Sequence, residues 1–147
     1  MTEWVPMEEE YRRLVSKLGL QDRVFFVGKI SDERLRLLYH ACHCFALPSV
    51  AHAEGFGIVL AEAMACGKPV ISTQLQTGTS YVNLDEVTGY VVPPRDSKAL
   101  ADKIDVLMHD KEVHKKMGQQ AKRRAETQFD RSIVTEMTVR LYEEVLA

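Results

Sequence analysis

The chain has 147 residues, of which 46% are hydrophobic and 27% are charged. These fractions are typical of a globular protein and exclude a disordered tail, a collagen-like chain and a coiled-coil rod. The 19 basic and 21 acidic residues leave a formal net charge of -2, so we expect no binding to nucleic acid. The length is that of one domain, which we expect to span residues 1–147.

The sequence also indicates a compartment. No apolar stretch approaches the roughly 20 residues that a membrane-spanning helix needs. Met1 is followed by an acidic segment with Glu3, Glu8 and Glu9, which is the reverse of the basic start of a signal peptide. Three cysteines do not indicate a disulfide framework. We therefore expect a cytoplasmic protein.

Helices and strands alternate along the chain. Helical spacing, capping residues and terminal glycines predict helices over residues 8–18, 34–42, 57–66, 97–108, 111–129 and 131–146. Short β-branched or apolar runs predict buried strands over Val24–Val27, Cys44–Leu47, Pro69–Thr73 and Tyr90–Val92. This alternation predicts an α/β fold with a doubly wound parallel sheet, in which ligands bind at the carboxyl ends of the strands.

Some caps and helix faces follow directly from the sequence. Ser31 is a good N-cap for the second helix, and Asp96 or Ser97 is a good N-cap for the helix that starts near residue 97. Leu35, Leu38 and Cys42 form the predicted apolar stripe of the second helix.

The most informative stretch is a glycine-rich turn between a strand and a helix. Gly55 and Gly57 flank Phe56, so the backbone can adopt unusual dihedral angles and approach a ligand closely. The helix that follows offers free N–H groups and the positive end of its dipole, which together suit a phosphate. A tight turn that binds no ligand explains the two glycines equally well.

Two carboxylates favour a ligand. From Ile58 to Cys66 every residue except Glu62 is apolar, which predicts a helix buried nearly all round that carries one charge. Such a carboxylate needs a cation, hydrogen-bond donors or a ligand. Glu62 lies about 7.5 Å beyond Gly57 along the helix axis, a reasonable span from a phosphate to a ribose. Glu54, on the other side of the turn, is placed to accept hydrogen bonds from sugar hydroxyls, so the pattern suits a sugar nucleotide.

The same stretch resembles a known family. Glu54 and Glu62 have the spacing of the Glu-x7-Glu motif of retaining GT-B glycosyltransferases, family four. Six segments occur in the order seen in the Rossmann-like, C-terminal donor-binding lobe of that family: FVGKIS, CFALPS, EGFG, EAMACGKPVIST, TGYVVPPRD and SKALADKI. The resemblance covers roughly residues 18–147.

The resemblance implies a role for each residue of the motif. Glu54, as the catalytic residue, would contact the transferred sugar, and Glu62 would contact the ribose hydroxyls. The backbone of Ile30 would meet the base. Sugar and diphosphate oxygens would be held by the backbone amides of Gly55, Phe56, Gly57 and Ile58.

The resemblance also implies an activity, which is the transfer of a hexose from a nucleotide-diphospho-sugar to a glycan or lipid-linked acceptor. Transfer would retain the anomeric configuration and use front-face attack, with no metal and no cofactor, in the synthesis of polysaccharides or glycoconjugates.

In relatives, an arginine and a lysine that bind the diphosphate lie upstream of the position of Met1. In relatives, the opening strands of the lobe and the N-terminal acceptor lobe also lie upstream of that position. We therefore expect a truncated nucleotide-sugar-binding lobe that is inactive alone and needs the acceptor lobe or a partner chain. Peripheral membrane association through that lobe and self-association through an exposed sheet edge are further expectations.

The segment 74–83 departs from the family, because it reads QLQTGTSYVN where many relatives carry a Gly-Gly pair and a glutamate. This departure puts any role of the loop at the site in doubt. Gly78, Thr79 and Ser80 are typical of an ordinary N-cap for a short helix.

Other clusters are interpreted as structural. The HACHC run, with His40, Cys42, His43 and Cys44, lacks a second ligand pair at zinc-finger spacing, and Cys66 is interpreted as a small core residue. His52 is either a substrate contact or a solvent-facing loop residue. A solvated basic helix face is predicted for Lys115, Lys116, Lys122, Arg123 and Arg124.

Three functions remain open on these residues. The first is the donor half of a hexosyltransferase. The second is a nucleotide-sugar binding module without transferase activity, because half a cleft cannot position an acceptor. The third is another GT-B chemistry, such as that of a nucleotide-sugar epimerase or a phosphorylase, against which the EGFG context argues.

Overall fold

The computed structural model describes residues 7–51 and 54–146. Contacts divide the chain into two units, Met1–Asp32 and Glu33–Ala147. The first unit contains helix α1, Glu8–Lys17, as predicted. Its acidic first turn and its terminal lysine complement the helix dipole. The Arg12 guanidinium pairs with Glu8 at 2.6 Å and lies 4.4 Å from the centroid of the Phe26 ring.

The buried strand predicted for Val24–Val27 is wrong. The run forms no strand, and the side chains of Val24, Phe25 and Val27 are 37%, 76% and 48% exposed. A β-strand exists only through the hydrogen bonds of its ladder. None of the described strands pairs with this run, so its apolar composition alone does not make it part of the sheet.

The sheet lies in the second unit and has three strands among the described residues, where the sequence predicted four. They are β1, Phe45–Leu47; β2, Val70–Thr73; and β3, Gly89–Val92. All pair in parallel in the order β1-β2-β3. Each lies inside or within one residue of its predicted range, and the parallel arrangement is confirmed.

The remaining helices follow the predicted order. They are α2, Asp32–Ala41; α3, Ile58–Ala65; α4, Thr79–Val82; α5, Ser97–His109; α6, Lys111–Arg124; and α7, Arg131–Leu146. The Asp96 carboxylate caps α5 by accepting from the Ala99 N–H at 2.9 Å, which confirms one of the two predicted caps. Residues Ala125–Phe129, between α6 and α7, form a π-helical segment. The sequence predicted that the helix beginning at residue 111 would continue as a regular α-helix to residue 129.

Helices cover both faces of the sheet because side chains alternate along β2. Val70 packs with Leu60 and Met64 of α3, whereas its neighbour Ile71 packs with Leu107 of α5 and Met117 of α6. All six side chains are at most 6% exposed. Burial on both sides is the reason that two apolar residues, Val70 and Ile71, follow each other in β2 instead of alternating with polar residues, and it confirms the doubly wound fold.

A buried polar network ties the strands to the loop between them. The side-chain amide of Asn83 donates to the Ser72 hydroxyl and to the Tyr90 carbonyl, both at 2.9 Å, and its oxygen accepts from the Thr88 hydroxyl at 2.9 Å. Asn83 is 1% exposed. Since every polar atom of its amide group has a partner, the network fixes the loop that follows α4 rather than destabilising the core.

Candidate functional site

The structure has a cleft at the carboxyl ends of the three strands, where the fold class predicts that ligands bind. The cleft has a volume of about 170 Å³. It is lined by Thr73, the last residue of β2, and by Pro48 and Pro93, which directly follow β1 and β3. The Thr73 hydroxyl donates to the Ser49 carbonyl and so ties the end of β2 to the loop after β1. This loop leads into the glycine-rich turn.

The turn is built around a hydrogen bond between Glu54 and Gly57. Gly57 precedes α3 in the left-handed conformation, with φ of 75°, which a residue with a Cβ adopts only at a cost. Its N–H donates to Oε1 of the half-buried Glu54 at 3.1 Å. The Glu54 carboxylate therefore lies at the positive end of the α3 dipole and has a fixed orientation.

The segment 74–83 lies directly against this turn. A Cβ added to Gly78 would lie 2.7 Å from the Gly55 carbonyl oxygen, and one added to Gly57 would lie 3.1 Å from Cγ2 of Thr79. The short helix predicted here is α4, and Gly78 is its N-cap residue without a side-chain capping bond. The segment that departs from the family pattern thus packs closely against the turn, through the backbone at Gly78 and the side chain of Thr79.

Glu62 is not the buried charge that the sequence predicted. Helix α3 buries Leu60, Ala61, Ala63 and Met64, but one face of the helix is exposed to solvent. Ile58, Glu62 and Ala65 are exposed, and Ile58 is 65% exposed. These three residues follow helical spacing and form one stripe. The prediction failed because the composition of a short apolar helix does not reveal which side lacks a covering element.

Tyr39 of α2 holds the Glu62 carboxylate. Its hydroxyl donates to Oε2 of Glu62 at 3.0 Å. The Tyr39 ring is 6% exposed and packs edge-on against Phe45, with centroids 5.5 Å apart. Burial and the Glu62 carboxylate raise the pKa of Tyr39 above its ordinary value, because both disfavour the phenolate. Tyr39 therefore stays a donor and orients Glu62 on the open stripe.

Replacing Tyr39 by phenylalanine tests this pair. The raised pKa means that Tyr39 contributes stability below the ordinary pKa of 10.0 and that this contribution is lost as pH rises toward the folded-state pKa. We expect Tyr39→Phe to lower the free energy of unfolding by about 1 kcal/mol at neutral pH and to reduce its decline above pH 10.0. Urea denaturation on both sides of that pH measures the two effects.

The matched control is Tyr142→Phe, which removes a tyrosine that is 66% exposed on α7. In this variant the free energy of unfolding should decline at alkaline pH as steeply as in the wild type. An alkaline decline that is the same in Tyr39→Phe and in the wild type would contradict the role given to the Tyr39 hydroxyl.

The other predicted site residues are distributed as follows. Gly55 and Phe56 lie in the turn, and Phe56 is 44% exposed. Ile30 is half-buried in the first unit, two residues before α2, and its contact with a base stays a prediction. His52 lies outside the described residues. The structure thus brings Glu54, the turn amides and the α3 stripe together within the second unit.

Among the described residues, no group of three or more metal-ligating side chains occurs. His114 instead contacts the HACHC run, through a 2.9 Å hydrogen bond between its Nε2 and the His43 carbonyl. Cys42, Cys44 and Cys66 are free and half-buried. None of the helices that the structure describes combines the length and apolar composition of a membrane span.

The predicted solvated basic face holds for four of its five members. Lys115, Lys116, Lys122 and Arg123 are exposed, but Arg124 is half-buried and donates to two backbone carbonyls of α4. The correction has a physical reason, since α6 packs along the sheet and brings its last turn against the end of α4.

Sequence reasoning missed three residues beside the site: Tyr39, Arg124 and Phe129. Tyr39 had a signal, because Leu35, Tyr39 and Cys42 are also at helical spacing, and the structure buries Tyr39 while Leu38 is 39% exposed. Arg124 and Phe129 had none, because their partners are distant in sequence.

The sequence of the chain is similar to those of known proteins. Residues 5–124 match a family described as Glycosyl transferases group 1. The O-antigen chain mannosyltransferase C of Escherichia coli is 36% identical over 141 residues, which is 96% of this chain and 38% of the relative. The D-rhamnosyltransferase WbpZ of Pseudomonas aeruginosa is 35% identical over 81% of this chain and 31% of its own length. The chain thus spans about a third of the length of each of these relatives.

Solved structures show the same fold. The sucrose-phosphate synthase of Thermosynechococcus elongatus matches with a TM-score of 0.84 and 34% identity, over 94% of this chain and 34% of that one. The structure of Anabaena HepE in complex with UDP-glucose matches with a TM-score of 0.81 and 31% identity, over 92% of this chain and 36% of that one.

Proposed function

Because the chain belongs to the group 1 glycosyl transferases, we propose that its glycine-rich turn and α3 stripe bind a nucleotide-diphospho-sugar. In this proposal the chain is the donor half of a hexosyltransferase. The observation that carries it is the position of the Glu54 carboxylate at the N-terminus of α3, held by the Gly57 amide at 3.1 Å. A HepE structure solved with UDP-glucose supports the choice of ligand.

Each part of the turn has a distinct role in the proposed complex. The start of α3 directs its amides and its dipole toward the diphosphate, where negative charge increases as the bond to the sugar breaks. Glu54 accepts hydrogen bonds from hydroxyls of the transferred sugar. Glu62, one turn further along the exposed stripe and oriented by Tyr39, accepts hydrogen bonds from the ribose.

Catalysis follows from these contacts without a covalent step on the protein. The leaving diphosphate takes the proton of the acceptor hydroxyl as that hydroxyl attacks from the same face, so the anomeric configuration is retained. The amides stabilise the developing charge more strongly in the transition state than in the ground state. We propose a glycan or lipid-linked acceptor in polysaccharide or glycoconjugate synthesis, since relatives are named for O-antigen and capsular polysaccharide.

Binding of the acceptor is assigned to a second lobe or a partner chain. In the proposal, that lobe closes over the carboxyl edge of the sheet and excludes water from the reacting centre. Membrane association through that lobe, self-association through the sheet edge and a cytoplasmic location stay predictions.

Calorimetric titration of the chain tests the donor site without an acceptor. The panel contains UDP, GDP and ADP with the conjugates UDP-glucose, GDP-mannose and ADP-glucose. The proposal expects one of the three nucleoside diphosphates to bind with a stoichiometry of about one per chain. The hexose conjugate of that nucleotide should bind more tightly than the bare diphosphate, because Glu54 adds contacts to the sugar. Absence of heat with all six compounds would contradict it.

A further inference from the structure

Three aromatic rings and one guanidinium connect the glycine-rich turn to the end of α6. The Phe129 ring packs edge-on against Phe56 of the turn, with centroids 5.8 Å apart and planes at 89°. It also packs edge-on against Tyr81 of α4, with centroids 6.0 Å apart. The Arg124 guanidinium lies 5.2 Å from the Tyr81 centroid and 5.3 Å from that of Phe129. We call these four side chains the aromatic clamp.

Arg124 also fixes the carboxyl end of α4. Its Nε donates to the Val82 carbonyl at 3.1 Å, and its Nη2 donates to the Tyr81 carbonyl. Helix α4 has only four residues, and so short a helix has little stability of its own. A cation that satisfies its last carbonyls therefore supplies much of what holds it in place.

The π-helical segment sets the position of Phe129. Helix α6 ends at Arg124, and residues Ala125–Phe129 continue it with π-helical bonding. A π-helical turn accommodates an additional residue per turn and changes the direction of the side chains that follow. Phe129, the last residue of the segment, contacts Phe56 and Tyr81 while Ala125 stays buried in the core.

The aromatic clamp is connected to the glycine-rich turn by two sets of contacts. One is the ring contact between Phe129 and Phe56, the residue between the two glycines. The other runs through α4, because the start of that helix packs so closely that a Cβ on Gly78 would lie 2.7 Å from the Gly55 carbonyl oxygen. A displacement of α4 or of Phe129 must therefore move the backbone that carries Glu54.

We propose that Arg124 and Phe129 are positioning residues of the donor site, which hold residues 54–57 in the conformation that binds the sugar and the diphosphate. The inference rests on the proposed function of that turn. Neither residue touches the ligand. They reduce the number of conformations of a turn that contains two glycines, and so lower the entropy lost on binding.

The test must separate this role from ordinary packing, since Phe129 also lies against the core cluster around Leu60. The first clamp variant, Arg124→Lys, keeps the positive charge but loses the planar guanidinium group that donates to two carbonyls at once. The second, Phe129→Leu, keeps an apolar side chain but loses the aromatic ring. Phe129→Tyr retains the ring and is the conservative rescue. Arg123→Lys is the matched control for Arg124, because Arg123 is the exposed neighbour. Val113→Ala is the stability control, because Val113 packs in the other core cluster.

The first readout is amide hydrogen exchange of the free chain. Exchange at Gly57, whose N–H bonds Glu54, should be about tenfold faster in Arg124→Lys and Phe129→Leu. Exchange at Ile71 in the central strand should change less than twofold in the same variants. Phe129→Tyr, Arg123→Lys and Val113→Ala should keep the wild-type ratio of the two rates.

The second readout is affinity for whichever of UDP-glucose, GDP-mannose or ADP-glucose the wild type binds. The two clamp variants should bind it about tenfold more weakly, and the rescue and control variants should bind within about twofold of the wild type. Exchange at Gly57 that rises only in proportion to that at Ile71, or an affinity loss shared by Val113→Ala, would overturn the inference. A wild type that binds no member of the panel contradicts the proposed function, and the exchange measurement then decides the clamp alone.

Discussion

Gly89→Ala should abolish or severely reduce folding of the second unit. Gly89 is the first residue of β3 and pairs with Val70 of the central strand. A Cβ built on its backbone would lie 1.7 Å from the carbonyl oxygen of Val70. It would also lie 2.7 Å from the carbonyl carbon and 2.7 Å from the backbone nitrogen of the same residue. Because these are backbone atoms, no side-chain rotation relieves the clash.

The strain must be relieved by moving β3 away from β2. That movement breaks the ladder around Val70 and the hydrogen bond from Asn83 to the Tyr90 carbonyl. We expect a loss of about 3 kcal/mol or more in the free energy of unfolding. Urea denaturation followed by circular dichroism measures it. The matched control is Gly55→Ala, because a Cβ there would meet nothing within 4 Å, and it should change stability by less than about 0.5 kcal/mol. Equal stability of the two variants would contradict the close approach of β2 and β3.

Glu62→Ala should weaken binding of the nucleoside diphosphate and of the nucleotide sugar alike. In the proposed complex Glu62 contacts the ribose, which both ligands contain. Loss of a hydrogen bond to a charged acceptor costs about 1 to 3 kcal/mol, which corresponds to a decrease in affinity of roughly 5- to 150-fold. Calorimetric titration of the variant with the pair of ligands that the wild type binds measures this loss.

Glu54→Ala should separate the same two ligands. Glu54 contacts the transferred sugar in the proposed complex, so the variant should lose more affinity for the nucleotide sugar than for the bare diphosphate. The matched control is Glu143→Ala, which removes an exposed glutamate of α7 and should leave both affinities unchanged. Equal losses for both ligands in Glu54→Ala and Glu62→Ala would contradict the separate roles.

Elements whose order is encoded locally were predictable from the sequence. Three of the four residues of the central strand Val70–Thr73 are β-branched, and Asp96 is a strong cap before a periodic helix. The parallel sheet follows from the alternation of such elements. The turn between Gly55 and Gly57 and the conformation of Gly57 follow from glycine spacing in the same way.

Features that depend on distant partners were not predictable. The apolar run at Val24–Val27 had the composition of a strand, but a ladder requires a neighbour that local pattern does not reveal. The exposure of Glu62 depends on which side of α3 is left uncovered. The contacts of Tyr39, Arg124 and Phe129 join residues that are 23, 42 and 73 positions apart in sequence. Such pairs form only once the helices are packed on the sheet.

The most direct test of the donor site is a map of where the ligand binds. We would titrate the ¹⁵N-labelled chain with UDP-glucose and GDP-mannose and follow every backbone amide by NMR. The proposed site predicts that the largest shifts fall on Gly55, Phe56, Gly57, Ile58 and Glu62, with small shifts on the exposed basic face of α6. Largest shifts on Lys115, Lys116 and Arg123, or equal shifts throughout the chain, would show that the glycine-rich turn is not the binding site.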